Sequence, residues 1–263
     1  MQEPQYSHPT LKVLLAKVAE VRRPCLSIMN MPPLPYLKRL AKLDPTGLAD
    51  AYSDASVWDA FEPGLMSLCS PDPQAFRPPE EPSNVLHVGL PTNFKAAGFD
   101  DPIHTAMLRE LERDIDAVRL NGKEVPVKLR TFDSLFVPFA KWSMLMTGNY
   151  RCVTDTGVRP IAEAVHDDVR ESFRIYKSVD DMVLALGASE TDLVAFEKYA
   201  NAARGLLKPS SAARTILAGS QIERVDRLVQ ILSRTLGVPN ADIDATVLSV
   251  DAALERHRPA SAA

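Results

Sequence analysis

The sequence predicts an α/β region followed by an all-α region, on three observations. Segments before residue 131 are short, apolar and punctuated by proline. Those after it are long and repeat their apolar residues every three or four positions, the period of a helix with one buried face. The breaks between the later runs are helix stops: Gly187, Pro209, Gly219 and the turn Gly237-Val238-Pro239-Asn240. Two domains follow, 1–130 and 131–263.

In the first, PTLKVLLAKVAEVRR suggests a helix, and PCLSIMN, bounded by Pro24 and Pro32-Pro33, suits a buried strand ending at Asn30. Residues 41–83 are rich in Pro, Asp and Ser, with Trp58 and Phe61 as isolated anchors, so an irregular excursion is expected, long enough for a lid or a partner contact. NVLHVGL and VPVKLRTF read as two strands flanking the helix IHTAMLRELERDIDAVRL, whose buried face is expected at Met107, Leu111, Ile115 and Val118. In the second domain every long segment from Leu135 onward reads as helix, and the period is clearest in RPIAEAVHDDVRESFRIYKSVDDMVLALG. There Ile161, Val165, Val169, Phe173, Tyr176, Val179, Val183 and Leu186 predict one core helix, and four more are expected at 190–206, 211–219, 221–236 and 241–256.

Composition excludes several functions. A net charge of -4 over 263 residues, with short basic clusters at Arg22-Arg23 and Lys38-Arg39 and no aromatics among them, argues against a nucleic-acid partner. Cys25, Cys69 and Cys152 are odd in number and far apart, which suggests neither a disulfide framework nor a metal site and suits a reducing compartment. No apolar run approaches a bilayer span and the N-terminus lacks the order of a signal peptide, so a cytoplasmic chain without a membrane partner is expected. The histidines lack metal-ligand spacing, no GxSxG occurs, and the acidic pairs at 100–101, 167–168 and 180–181 read as solvated helix ends. No glycine precedes Gly47 and no two are spaced as GxG, so the chain carries no glycine turn through which a dinucleotide pyrophosphate could approach backbone amides.

Three local patterns agree with one another. Lys141 is followed eight residues later by Asn149 in KWSMLMTGN; Ser210-Ser211 precede Glu223, which stands twelve residues after Ser211; and SIMNMPPLPYL ends a strand at Asn30. In these the chain resembles the ketopantoate reductase (2-dehydropantoate 2-reductase) family. Leu145 stands where the family has an asparagine, Thr215 where it has an acid, and Met31-Pro32-Pro33 where it has glycines.

The resemblance implies the latter part of a Rossmann-type NADP-binding domain, followed by a helical domain like the C-terminal domain of 6-phosphogluconate dehydrogenase. It implies a chain that begins part-way through its nucleotide-binding half. The implied activity is NADPH-dependent reduction of a 2-oxo acid to the 2-hydroxy acid, as in pantothenate biosynthesis. Lys141 is then the general acid beside the developing oxyanion, its stem packed near Phe139 and Trp142, and Glu223 accepts a hydrogen bond from the substrate hydroxyl. Asn149 and Ser211 fix the substrate, and Asn30 lies at the meeting of cofactor and substrate. A homodimer is compatible with this. The contrasting expectation is a non-catalytic helical dimerisation or binding module that has lost cofactor binding. Taken alone, the serine pair after Pro209 reads as a helix N-cap and Lys141 as an amphipathic helix residue.

Overall fold

The computed structural model describes residues 6, 8–71, 75–76, 80–82, 85, 87–88 and 92–258. The chain forms two compact units. One comprises residues 9–45 and 56–138; the other comprises 139–263, joined by the segment 46–55 and by residues from the N-terminus.

The first unit begins with α1 (Pro9–Glu20), β1 (Cys25–Ile28) and the short α2 (Leu34–Leu37). The stretch 41–83 is not irregular throughout, because it contains β2 (Met66–Ser70), buried along its whole length. Two serines hide this strand in the sequence. Ser67 is compatible with burial because its hydroxyl donates to the Ala97 carbonyl at 2.5 Å. Of NVLHVGL, only Val85 and His87–Val88 lie among the described residues; the latter pair is β4, set against β3 (Ala75–Phe76).

β5 (Thr92–Ala97) was not legible, since Thr-Asn-Phe-Lys-Ala-Ala has neither an apolar run nor clean alternation. Then come α3 (Pro102–Ala117), the hairpin β6 (Arg119–Leu120) and β7 (Lys123–Glu124), and β8 (Val127–Phe132), as expected from VPVKLRTF. The main sheet has the order β1-β2-β5-β8. β1 is parallel to β2, β2 antiparallel to β5, and β5 parallel to β8.

Helix α3 is where expected but turned about its axis. Its sheet-facing side carries Leu108 and Ile115, packed with Cys69, Ala96 and Leu129, and the buried Thr105, whereas Met107 and Leu111 are 56% and 46% exposed. Hydrogen bonds fix this choice of face. Thr105 Oγ1 accepts from the Phe99 N–H at 2.9 Å, and the Glu112 carboxylate accepts from the Thr131 N–H at 2.8 Å. Arg39 has its side chain almost fully buried and donates to the carbonyls of Met66 (2.8 Å) and Gly98 (2.9 Å), which fastens the chain after α2 to the ends of two strands.

The second unit is helical apart from the small hairpin β9 (Val153–Thr154) and β10 (Gly157–Val158). It comprises α4 (Ala140–Met144), α5 (Ile161–His166), α6 (Val169–Leu186), α7 (Phe196–Ala203), α8 (Ser211–Leu217), α9 (Val225–Thr235) and α10 (Ala241–Arg256). The run expected as one helix is two, broken at Asp167-Asp168, where Asp168 leaves helical geometry and its carboxylate caps the Glu171 N–H at 2.9 Å. The break resets the phase of the helix. Val169 and Phe173, expected in the core, are half-exposed, while Ser172, Ile175 and Met182 are buried. Gly187 ends α6 as expected, at φ 122°. The helix expected at 190–206 reduces to a 3-10 turn at Glu190–Asp192 followed by α7. Between them the Val194 carbonyl is drawn away to accept the Tyr176 hydroxyl at 2.8 Å.

Candidate active site

Lys141 is the second residue of α4, half-buried, beside Phe139 and Trp142, whose fully buried rings stack at 4.1 Å between centroids. The helix continues without a break into a π-helical turn, Leu145–Asn149, whose last residue is Asn149. An extra residue per turn changes which side chains share a face, and such turns are frequent at functional sites. Asn149 does not terminate the helix as a side-chain cap; its carbonyl accepts the Ser210 hydroxyl at 2.7 Å.

Ser210 is also the N-cap of α8, accepting from the Ala213 N–H at 3.0 Å, which leaves the half-buried Ser211 as the first helical residue. One hydroxyl thus joins the π-helical turn that follows α4 and ends at Asn149 to the serine pair. The two serines are not equivalent, and this makes a test. Ser210→Ala is expected to cost about 1–2 kcal/mol, the sum of a lost cap and a lost hydrogen bond. Ser211→Ala is expected to cost less than about 0.5 kcal/mol. Urea unfolding of both variants reads the difference, and equal losses would dismiss the cap.

Glu223 lies in the non-helical link before α9 and is completely buried. Its carboxylate accepts two backbone N–H groups, from Ser53 at 2.8 Å and from Tyr6 at 3.1 Å. Burial pushes its carboxyl up to about 7; the two amides pull the other way, and Asp54 adds to the rise. These bonds explain why α9 starts at Val225 and not at the expected 221, since Glu223 must turn inward to meet the amides. The neighbouring Arg224 is held by Asp226 (2.8 and 2.6 Å) and Asp251 (2.7 Å), and the Val225 N–H donates to the Tyr150 hydroxyl at 3.2 Å.

Asp180, expected at a solvated helix end, lies inside α6 and is half-buried. It accepts a hydrogen bond from Ser143, a fully buried residue two places after Lys141. Burial raises its carboxyl to about 6, against the lowering effects of Ser143 and Lys177. Nothing in the sequence pairs residues 143 and 180, and Ser143 could have been noticed only as a polar residue among apolar neighbours.

Asn30 belongs to the first unit. Strand β1 ends at Ile28, two residues before the expected end, and Asn30 stands half-buried in the following bend, on the carboxyl side of the strand. Two clefts on the helical unit, of about 220 and 420 Å³, run along α6 and include none of Lys141, Asn149, Ser211 and Glu223. Among the described residues no group of three His, Cys, Asp or Glu side chains could hold a metal ion, and no helix is long and apolar enough to cross a membrane.

The sequence matches no protein-family model and no curated protein. Solved structures do resemble it. A D-mandelate dehydrogenase, determined with NADH and anilino(oxo)acetate, aligns over 94% of this chain and 74% of its own, with a TM-score of 0.62 and 11% identity. A 2-dehydropantoate 2-reductase from Geobacter metallireducens GS-15 aligns over 86% and 67%, with a TM-score of 0.55 and 16% identity. A PanE/ApbA family ketopantoate reductase from Ralstonia eutropha JMP134 aligns over 93% and 74%, with a TM-score of 0.53 and 12% identity. The fold is theirs. A Rossmann-like α/β region followed by a largely helical one is the architecture expected from the sequence, and at these identities the likeness extends to the fold alone.

Proposed function

We propose that the protein takes part in the reduction of a 2-oxo acid to a 2-hydroxy acid by a nicotinamide dinucleotide, NADPH by resemblance. The observation that carries this reading is the Ser210–Asn149 hydrogen bond. It joins the π-helical turn that ends at Asn149, continuous with the α4 helix of Lys141, to the serine pair, in a fold shared with a D-mandelate dehydrogenase determined with NADH and anilino(oxo)acetate.

The cofactor would supply the hydride. This chain lacks a glycine turn for its pyrophosphate, so the residues named here concern the substrate, with Asn30 the one assigned also to the cofactor. As the carbonyl is reduced, negative charge grows on its oxygen, and a cationic proton donor beside that oxygen lowers the barrier. Lys141 is assigned that part, its stem shielded by the Phe139–Trp142 stack. Asn149 and Ser211 are assigned the carboxylate and hydroxyl of the substrate, and Glu223 the substrate hydroxyl.

A second reading, a binding module without redox chemistry, is favoured by the engagement of both Glu223 oxygens with backbone amides. Titration of the full chain with NADPH, followed by fluorescence, and with 2-oxo acids of graded size, followed by calorimetry, separates the two. Saturable binding of both, with NADPH oxidation when they are mixed, is the expected result. Binding of neither would overturn the proposal in favour of the module.

A further inference from the structure

Helix α3 carries two apolar faces. One is the sheet-facing side of Leu108 and Ile115. The other, Ile103, Met107, Leu111 and Val118, recurs at steps of four, four and seven along the opposite side, and each of the four is about half exposed or more. Scattered exposed apolar residues are ordinary, whereas a stripe aligned on one helix marks an interaction surface. Two exposed acids, Glu110 and Asp114, stand in this stripe. The other acids of the helix, Glu112 and Asp116, are engaged by Arg130, but Glu110 and Asp114 have no ionic partner among the described residues. Helix α1 shows the matching feature with the opposite charge. Of its residues only Ala19 is buried, while Val13, Leu14 and, just beyond it, Val21 are each more than half exposed. The Val21 N–H still donates to the Lys17 carbonyl, so Leu14 and Val21, seven apart, share one side, and the exposed Lys17 stands between them without an ionic partner among the described residues. Further round each helix the signs are again opposite, Glu20 on α1 and Arg113 on α3.

We infer that α1 of one copy of the chain docks along α3 of a second copy, seating Leu14 and Val21 against Met107, Leu111 and Val118 and bringing Lys17 to Glu110 or Asp114. The lysine can reach either acid, because the two stand one helical turn, about 5.4 Å, apart. Neither surface suits its own kind. Pairing α3 with α3 would bring Glu110 and Asp114 of both copies together, and pairing α1 with α1 would oppose two lysines, both repulsive. The helices have 12 and 16 residues, so the contact is smaller than the roughly 800 Å² per partner of a stable complex, and the association is weak and concentration-dependent. Because the two surfaces differ, a joined pair keeps one α1 and one α3 unused unless both contacts form together about a two-fold axis. None of these residues belongs to the site assigned above, so the contact is independent of the reductase chemistry.

Sedimentation of the intact chain at rising concentration, up to about 1 mM, reads the contact, because interfaces of this size form weakly. The wild type is expected to gain mass as its concentration rises. Lys17→Glu in one variant, and Glu110→Lys with Asp114→Lys in another, set like charges against each other; each is expected to raise the dissociation constant at least about tenfold. An equimolar mixture of the two variants, in which every α1 can again meet an α3 of opposite charge, is expected to recover the wild-type affinity. All three positions are exposed, so the fold should be kept, and urea unfolding of each variant checks this. Loss in both variants with recovery in the mixture requires that α1 and α3 meet each other. A variant that associates as the wild type does, or a mixture that stays monomeric, overturns the contact. A wild type that stays monomeric throughout also overturns it and leaves the two stripes to a partner of another kind.

Discussion

Gly148→Ala is expected to lower stability by about 2–4 kcal/mol, combining an overpacked core with the loss of a buried hydrogen bond. A methyl group built on Gly148 would overlap the Tyr199 hydroxyl and approach Ile161 Cγ2 to 3.1 Å. A hydroxyl at the end of a mobile side chain could swing aside; this one cannot. Tyr199 is buried on α7, stacks on Tyr176 at 5.6 Å between centroids, and donates to the Met144 carbonyl at 3.1 Å. That bond reaches the junction of α4 with the π-helical turn, so the same contact which requires glycine at 148 also fixes the turn ending at Asn149. The intrinsic preference of alanine over glycine in a helix, about 1 kcal/mol, offsets only part of the loss.

Removing the hydroxyl supplies the control. Tyr199→Phe removes the overlapping atom and leaves the tight approach to Ile161 Cγ2 at 3.1 Å, so the double variant is expected to be more stable than the sum of the single losses predicts, by about 1–3 kcal/mol. Urea unfolding of the four proteins measures this coupling. Additive losses would show that Gly148 is required for some reason other than Tyr199.

The legible parts of this chain are those in which one local signal suffices. Helix α10 is legible from the Gly237-Val238-Pro239-Asn240 turn that precedes it, and the structure adds that Asn240 caps it, accepting from the Asp242 and Ile243 N–H groups. β8 was readable from its β-branched and apolar residues, and the end of α6 from Gly187. The failures share a different cause, which is that polar groups found partners far away in sequence. Ser67 satisfies itself on Ala97 and makes β2 possible; Glu112 reaches Thr131 and helps turn α3; Asp168 caps its own helix and divides the periodic run. At the site, spacing led to Lys141, Asn149 and the serine pair, and the structure links the last two through Ser210, the partner of the serine singled out from the sequence. Spacing also led to Glu223. What no pattern could disclose was that backbone amides of Ser53 and Tyr6 occupy it, because a main-chain N–H leaves no mark on the identity of the residue that carries it.

Lys141→Ala is expected to lower turnover of a 2-oxo acid by about 10²–10⁴-fold, the usual contribution of a positioned proton donor, or about 3–5 kcal/mol of barrier. If Lys141 has the proposed role, the effect falls on kcat and not on substrate binding, because the charge that a proton donor meets there would develop only as hydride arrives. Lys141 is half-buried at the start of α4 and lies outside the buried core, so its truncation should cost much less stability than the loss of a fully buried ring. That separates it from Phe139 and Trp142, where loss of a fully buried ring would cost stability first. Lys141→Arg sharpens the test. It keeps the positive charge but holds its protons too tightly to donate one near neutral pH, so it should recover any purely electrostatic binding of the substrate carboxylate without recovering turnover. Steady-state kinetics of the three proteins, beside their urea unfolding curves, then discriminate three roles. Loss of kcat in both variants with unchanged stability supports proton donation. A rise in KM that arginine repairs would make Lys141 a carboxylate anchor, and equal activity in all three would leave the α4 turn a structural element.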